Sequence, residues 1–250
     1  MTSASGTPSD DVEAVLATGR SGVTAMYLSM STRHPGGDDA DYLAWHTLDH
    51  RPEQHRLAAT RASLRIVSTP ACRAARAASS DGLDAVDHVM TYFFADPGGF
   101  EGFLDLSVAL REAGRTPYVL PPVERGAYTV RERHAAPRVK IGADVLPWFP
   151  VAGVYVLLED ANAPEEHRDV VEVPGVAGAW TAVAAEPDDT LSSAPARQRL
   201  TYCFLDDDPV TTAERLRPVL EHRWSDRGIT PRLAAPFHAI VPGEWDRFLP

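Results

Sequence analysis

The segment 45–56, WHTLDHRPEQHR, concentrates residues that can exchange protons or bind metals. His46 and His50 are four residues apart, so both lie on one face if the segment is helical. Two acids, Asp49 and Glu53, flank the second histidine, and a nearby carboxylate can set the protonation state of an imidazole. A histidine with such neighbours can act as a general acid or base at neutral pH.

This histidine-rich segment admits three interpretations. In a catalytic interpretation, His50 moves a proton at the mouth of a pocket and Asp49 or Glu53 assists it. In a metal-site interpretation, the ligands are His46, His50 and either His55 or Glu53, which are suitable ligand types. The segment nevertheless lacks the internal glutamate of the H-E-x-x-H zinc motif, so we expect no metal site. In a structural interpretation, these residues form a polar helix end with cations near the negative end of the helix dipole.

An internal repeat sets the elements that must position this segment. Three short stretches recur in the same order: the strand-like runs around Tyr27 and Tyr155, the runs 52–56 (PEQHR) and 164–168 (PEEHR), and the runs 91–96 (TYFFAD) and 201–206 (TYCFLD). Repeats of this kind indicate that one structural unit occurs twice.

Each copy is predicted to contain strand, helix, strand, strand, helix and strand. Hydrophobic periodicity and Gly or Pro punctuation place these elements. The predicted strands are 23–30, 63–68, 88–95, 126–132, 151–158, 178–184, 199–205 and 237–241, and the predicted helices are 41–54, 100–113, 164–170 and 212–227. Because Pro52 disfavours helical geometry at Arg51, the first helix is expected to end or kink there.

The βαββαβ order is that of the ferredoxin-like unit, an antiparallel sheet with two helices on one face. The predicted fold class is therefore α+β: two ferredoxin-like repeats whose sheets face each other as an α/β barrel. The predicted division is an N-terminal extension (1–20), a first repeat (21–132), a crossover linker (133–149) and a second, shortened repeat (150–250).

Alternation along the strands predicts which side chains line the space between the two sheets. The uniformly aliphatic positions of the strand 151–158 are expected on the helix side, which leaves Tyr155, and Tyr27 of the matching strand, facing inward. On this basis the predicted lining of a small-molecule pocket is Tyr27, His88, Tyr92, Tyr155, Tyr202 and His238, with Trp45 and His46 at its mouth.

Composition narrows the function classes. The chain has 250 residues with 24 Lys+Arg against 35 Asp+Glu, a net charge of −11, which argues against a nucleic-acid partner. No stretch approaches the roughly 20 apolar residues of a membrane helix, and the acidic N-terminal residues do not form a secretory signal. We therefore expect a cytoplasmic protein with a small-molecule ligand, no membrane partner, and the possibility of a homodimer.

The pattern Trp45-x-x-x-x-His50-x-Pro52-Glu53, at the end of the first helix of such a unit, resembles the dimeric α/β-barrel superfamily, particularly its EthD-like members. The resemblance covers most of residues 21–132. It implies two facing sheets around a cavity, with His50 as the matched proton-transfer position and Trp45 and Pro52 framing it. Members that catalyse mostly do so without metal or flavin on polyketide-like aromatics or lactones, and others are haem-associated.

The leading functional prediction is an enzyme without a cofactor that acts on a small, apolar, oxygenated molecule. His50 would transfer the proton in a cyclisation, isomerisation or decarboxylation, assisted by Asp49 or Glu53, because charge that develops on oxygen needs a donor such as a phenol. Two alternatives stay open: a non-catalytic small-molecule-binding or stress-response protein, and a haem-binding protein that uses one histidine.

Overall fold

The computed structural model describes residues 5–12, 20–80, 82–160, 168–187 and 191–250. Its strands are β1 (Ala25–Ser31), β2 (Thr60–Val67), β3 (Ala78–Ser79), β4 (His88–Phe94), β5 (Pro122–Ala135), β6 (Gly153–Glu159), β7 (Val176–Ala184), β8 (Arg199–Leu205) and β9 (Pro231–Ala239). Its α-helices are α1 (Asp39–Trp45), its continuation α2 (Arg51–Gln54), α3 (Pro70–Ala74), α4 (Gly99–Glu112), α5 (Arg168–Val171) and α6 (Pro209–Arg227). Single-turn 3-10 segments lie at Ser9–Val12 and Leu83–Ala85, and a longer one at Ala143–Trp148.

Eight strands close into an antiparallel barrel in the order β2-β4-β1-β5-β7-β8-β6-β9, and β9 pairs with β2 to complete the ring. In the first half of the chain, β1 lies between β4 and β5, and β2 lies outside β4. In the second half, β6 lies between β8 and β9, and β7 lies outside β8. The short strand β3 adds to β9 outside the ring. The predicted α+β class and the barrel are therefore present.

The interior of the barrel is a packed aromatic core. The Trp180 ring meets the rings of Phe93 and Phe204 at centroid distances of 5.6 and 5.9 Å, and Tyr202 meets Phe204 at 5.2 Å. The indole N–H of Trp180 donates to the Ala143 carbonyl at 2.7 Å, which satisfies its one polar atom. The space between the two halves is thus filled by side chains in contact.

Helices cover the outside of the barrel. On the first half, Phe100 and Phe103 of α4 pack against Tyr27, Tyr92 and Phe94. On the second half, α6 covers a separate cluster, which includes Tyr155, Leu157, Cys203, Leu216 and Leu220. None of the helices in the described ranges has the length and apolar character that a membrane crossing requires.

The face assignment for several predicted pocket residues is wrong. Tyr27, His88, Tyr92 and Tyr155 point away from the barrel centre and lie beneath the outer helices, whereas Tyr202 does lie inside. In an antiparallel pair, residues opposite each other share a face, and Tyr92 lies opposite Tyr27 whereas Tyr202 lies opposite Val156. The sequence matched Tyr92 with Tyr202, but the position equivalent to Tyr92 is Cys203. The alignment of these two strands is therefore shifted by one residue.

Two predicted elements differ locally. The first helix does not end before Pro52: it continues from α1 through a π turn at His46–His50 into α2. Proline is tolerated there because it occupies the first turn of the α2 segment. The repeated Pro-Glu run at 164–167 lies outside the described residues, and the helical turn that follows is Arg168–Val171.

Candidate functional site

The π turn places three rings, those of Trp45, His46 and His50, side by side on the outer face of the barrel. The Arg51 amide donates to the His46 carbonyl, a five-residue spacing that widens the helix. His46 and His50 have ring centroids 5.3 Å apart, and Trp45 lies 5.2 Å from His50. Single π turns of this kind occur frequently at functional sites, because they offset side chains from the regular helical rows.

Two strands supply the floor beneath the π turn. Arg65 of β2 lies opposite Met90 of β4, so its side chain shares the outer face with those of His88 and Tyr92. Its guanidinium Nη2 donates to the Tyr42 hydroxyl at 2.7 Å, and its carbon lies 5.1 Å from the centroid of that ring. A buried arginine on a strand is thereby held against the helix that carries the histidines.

His88 is held by a buried acid at the start of α1. Its Nε2 lies 2.8 Å from Oδ1 of Asp39, which also accepts the His34 amide at 2.7 Å. Burial lowers the pKa of His88. This effect outweighs the hydrogen bond that His88 donates to Asp39, which raises the pKa. The pair is therefore a neutral imidazole that donates to a carboxylate, and it anchors α1 to β4.

Five buried polar atoms of this cluster have no hydrogen-bond partner: His46 Nδ1, His50 Nδ1, Gln54 Oε1, Arg65 Nε and Tyr92 Oη. Leaving a buried donor or acceptor unsatisfied costs about 1 to 3 kcal/mol, so native proteins rarely tolerate it without a role. Five such atoms come from one helical segment and two neighbouring strands, which makes this part of the outer face the candidate site. We name these five residues, together with Trp45, the outer-face cluster.

The electrostatics keep the imidazoles of the outer-face cluster neutral. Burial, and then the Arg65 charge, hold the pKa of His46 well below 6.5. The same two causes lower the pKa of His50, while the charge of Asp49 opposes them. Burial raises the pKa of the Tyr92 hydroxyl. At neutral pH the cluster thus offers imidazole lone pairs and a phenol O–H beside a guanidinium cation.

Gln54 supports His50 in either tautomer. Its side-chain nitrogen lies 3.4 Å from His50 Nε2 and donates to the Ser107 hydroxyl at 3.0 Å. An amide carries both donors and an acceptor, so rotation of Gln54 can present its oxygen to a protonated Nε2. The proton on His50 can therefore change position without leaving the ring unsupported.

Asp49 and Glu53 do not contact His50 as predicted. Arg115 binds both, with Nη2 at 2.9 Å from Asp49 and Nη1 at 2.9 Å from Glu53. Hydrogen bonds from Arg115 and Arg56 lower the pKa of Glu53. These carboxylates tie the π turn to the segment after α4, so they position the turn, and only Asp49 acts on His50, through its charge.

The structure brings together Trp45, His46, His50 and Tyr92 of the predicted site, with His88 next to Tyr42. Tyr27 packs against Phe103 at 5.5 Å instead, and Tyr155 lies on the second half. Tyr202 belongs to the barrel core. His238 stacks on Phe248 at 4.1 Å and lies opposite Val67 of β2. Tyr155 and Tyr202 are therefore on other faces of the barrel than His50.

Three members of this region were missed from the sequence: Tyr42, Gln54 and Arg65. Arg65 had a readable signal, because it is a lone charge within the apolar run Leu64-Arg65-Ile66-Val67. It is 3% exposed, which is exceptional for an arginine without a carboxylate partner.

The metal-site interpretation is not supported by the positions of its residues. Among the described residues, no group of three or more His, Cys, Asp or Glu side chains is arranged to hold a metal ion. His55 bonds to the Ser63 hydroxyl at 2.7 Å instead of joining His46 and His50.

The His46 ring is packed against Tyr42, Trp45 and His50 at 5.8, 6.0 and 5.3 Å, so it has no flat space beside its nitrogens for a porphyrin. On the same face, Tyr92 and Phe103 pack at 4.7 Å.

No protein-family model and no curated protein matches this sequence. Two solved structures share its fold with a TM-score of 0.51. One is a candidate chlorite dismutase, 12% identical, with 91% of this chain and 100% of that chain covered. The other is the chlorite dismutase of Candidatus Nitrospira defluvii in complex with imidazole, 9% identical, with 93% and 97% covered. An anthrone oxidase-like protein has a TM-score of 0.47 at 11% identity, with 89% and 94% covered. The similarity to the two chlorite dismutase structures shows the α+β barrel fold.

Proposed function

We propose that this protein is an enzyme that moves a proton on a small, largely apolar, oxygenated molecule, with His50 as the acid and base. The observation that carries the proposal is the neutral His50 imidazole, whose buried Nδ1 has no partner among the described residues. When the proton of the ring is on Nε2 and the rotated Gln54 amide accepts its hydrogen bond, Nδ1 can take a proton from a bound molecule.

The proposed step uses only groups of the outer-face cluster. His50 Nδ1 takes a proton from a carbon beside a carbonyl, the C–H electron pair forms a C=C bond, and negative charge moves to the carbonyl oxygen. The Tyr92 hydroxyl, which is buried and without an acceptor, donates to that oxygen. The protonated His50 then returns its proton from Nδ1 to the same or another carbon. Throughout this step, Oε1 of the rotated Gln54 amide accepts a hydrogen bond from the Nε2–H of His50.

The surroundings favour an aromatic or polyketide-like substrate. Trp45 contacts both His50 and Tyr118, with centroids 5.2 and 5.9 Å away, so the polar atoms are bordered by rings. Apolar walls with a few convergent polar groups are typical of small-molecule sites. Chemistry of this kind needs no group beyond the acid, base and donor of the chain itself.

Two finer points of the fold belong to this proposal. The common strand order in the two halves supports their origin as two ferredoxin-like repeats, with the first ending near residue 132 and the second beginning near residue 150. The pattern Trp45-x-x-x-x-His50-x-Pro52-Glu53, located at the π turn, supports an EthD-like relationship of the first half.

Deuterium exchange tests the proposal. The probes are 2-tetralone and phenylpyruvate in deuterium oxide, and proton NMR measures loss of the hydrogens next to the carbonyl. We expect the wild type to accelerate the exchange of at least one probe and His50→Gln to slow it by about 10²- to 10⁴-fold. His222→Gln, which removes an exposed histidine on α6, is the matched control. Exchange no faster than in buffer, together with saturable probe binding, would favour a non-catalytic binding protein.

A further inference from the structure

Arg65 carries a buried positive charge that no nearby carboxylate of the described residues neutralises. The three nearby carboxylates are engaged elsewhere, since Asp39 binds His88 while Asp49 and Glu53 bind Arg115. Among the ion pairs of the described residues, none joins Arg65 to a carboxylate, and its Nε has no hydrogen-bond partner. A buried charge without a partner is strongly destabilising, so the arrangement indicates that an anion belongs there.

A second cation lies within electrostatic range of Arg65. Arg51, at the end of the π turn, is half-buried, and the Arg65 charge acts on it unfavourably. The charges of Arg65 and Arg51 both act on the Tyr92 hydroxyl, so that hydroxyl is within electrostatic range of both guanidinium groups. Arg51 likewise has no carboxylate partner in the part of the chain that the structure describes. Two like charges held near each other, in a chain of net charge −11, would repel less with an anion between them.

We propose that Arg65, with Arg51, binds the carboxylate group of the substrate. This assignment rests on the proposed function and names its substrate class: small aromatic or polyketide-like acids. The planar guanidinium can donate two parallel N–H groups to a carboxylate, a geometry that an ammonium group does not offer. The rings of Tyr42 and Trp45, 6.0 Å apart, border the site on the side of α1, which favours an acid with an aromatic body over a small inorganic anion.

Calorimetric titration with an isosteric pair of probes tests this proposal. Benzoate and benzamide have nearly the same shape, but only benzoate carries a charge. We expect the wild type to bind benzoate at least about tenfold more tightly than benzamide and than inorganic phosphate. Equal affinities for benzoate and benzamide, no saturable binding of benzoate, or tighter binding of phosphate would each overturn the assignment.

Variants of Arg65 locate the effect. Arg65→Gln is expected to reduce benzoate affinity by at least about tenfold and leave that of benzamide unchanged, with Arg65→Lys between the two. Arg61→Gln removes an exposed arginine from the same strand and serves as the matched control. If Arg65→Gln binds benzoate as well as Arg61→Gln does, the assignment fails. If Arg65→Gln does not fold, Arg65→Lys and the preference of the wild type still decide.

The outcomes of the two experiments are independent. A preference for benzoate without any deuterium exchange would leave the anion site standing and remove the proposed catalysis. Exchange that depends on His50, without a preference for benzoate, would do the reverse.

Discussion

The indole of Trp45 and the imidazole of His50 lie with ring centroids 5.2 Å apart and planes tilted by 37°. The π turn between them creates this contact, because it adds one residue to the helical spacing. Trp45 and His50, the two motif residues that the sequence singled out, are therefore direct neighbours. Protonation of the His50 imidazole therefore affects the Trp45 indole.

The fluorescence of Trp45 should report the protonation of His50. A protonated imidazole beside an indole ring forms a cation–π contact and alters its emission. Because burial lowers the pKa of His50, we expect this change at a pH below 6.5. The measurement is the emission of the wild type minus that of Trp45→Phe during an acid titration. The same step in His50→Gln would show that another group causes it.

The rate of proton exchange should fall on the acid side. His50 acts as a base only when neutral, and its pKa in the folded protein lies below the ordinary value of 6.5. We therefore expect kcat/KM to be constant near neutral pH and to decline below the lowered pKa. Initial rates with the exchanging probe across this range check the prediction. An acid limb centred above 6.5 would contradict it.

Folding stability should depend on pH through His46. Burial holds its pKa well below 6.5, so the unfolded chain binds a proton more readily than the folded one. The stabilising contribution is complete above 6.5 and is lost as the pH falls, at roughly 1.4 kcal/mol per pH unit for one group. Urea unfolding between about pH 8 and pH 5 measures this slope.

The variant His46→Gln isolates that contribution. We expect its free energy of unfolding to change less steeply with pH than that of the wild type. His222→Gln, which alters an exposed histidine, should keep the wild-type slope. Identical slopes in all three proteins would mean that His46 is not the group concerned.

Substitutions in the aromatic core of the barrel should strongly lower the free energy of unfolding. Trp180→Ala removes a fully buried ring that touches Phe93 and Phe204, and it leaves the Ala143 carbonyl without its donor. We expect a loss of about 3 to 5 kcal/mol in urea unfolding. Trp148→Ala, at a side chain that is 49% exposed, should change stability by less than about 1 kcal/mol. A small effect at Trp180 would contradict the packed interior.

Most strands could be located from the sequence, although β9 begins at Pro231 instead of residue 237 and β3 was not predicted; the faces of the strands could not be read. The matched runs at Tyr92 and Tyr202 suggested equivalent positions, although one tyrosine lies under a helix and the other inside the barrel. Side chains alternate with a period of two, so a shift of one residue in an alignment reverses every assignment along a strand. Only pairing partners, such as Tyr27 opposite Tyr92, resolve that phase.

The spacing of His46 and His50 predicted that their rings share one helix face, as the structure has them, whereas their partners could not be predicted. Asp49 and Glu53 precede and follow His50 closely in sequence, yet the helix directs them toward Arg115. Arg65 and Tyr92 come from distant strands, and only the register between β2 and β4 brings them beneath the π turn. Local spacing predicts which side chains share a helix face, but not what the opposite layer supplies.

The ring of strands is fastened at one joint by two residue pairs, Ile66 with Ala239 and Val67 with His238. The opposite joint extends over the whole carboxyl-terminal half of β5, from Tyr128 to Ala135. We therefore expect thermal opening of the barrel to begin at the shorter pairing, between β2 and β9. Because Arg65 immediately precedes that joint, we expect local opening there to hydrate its buried guanidinium.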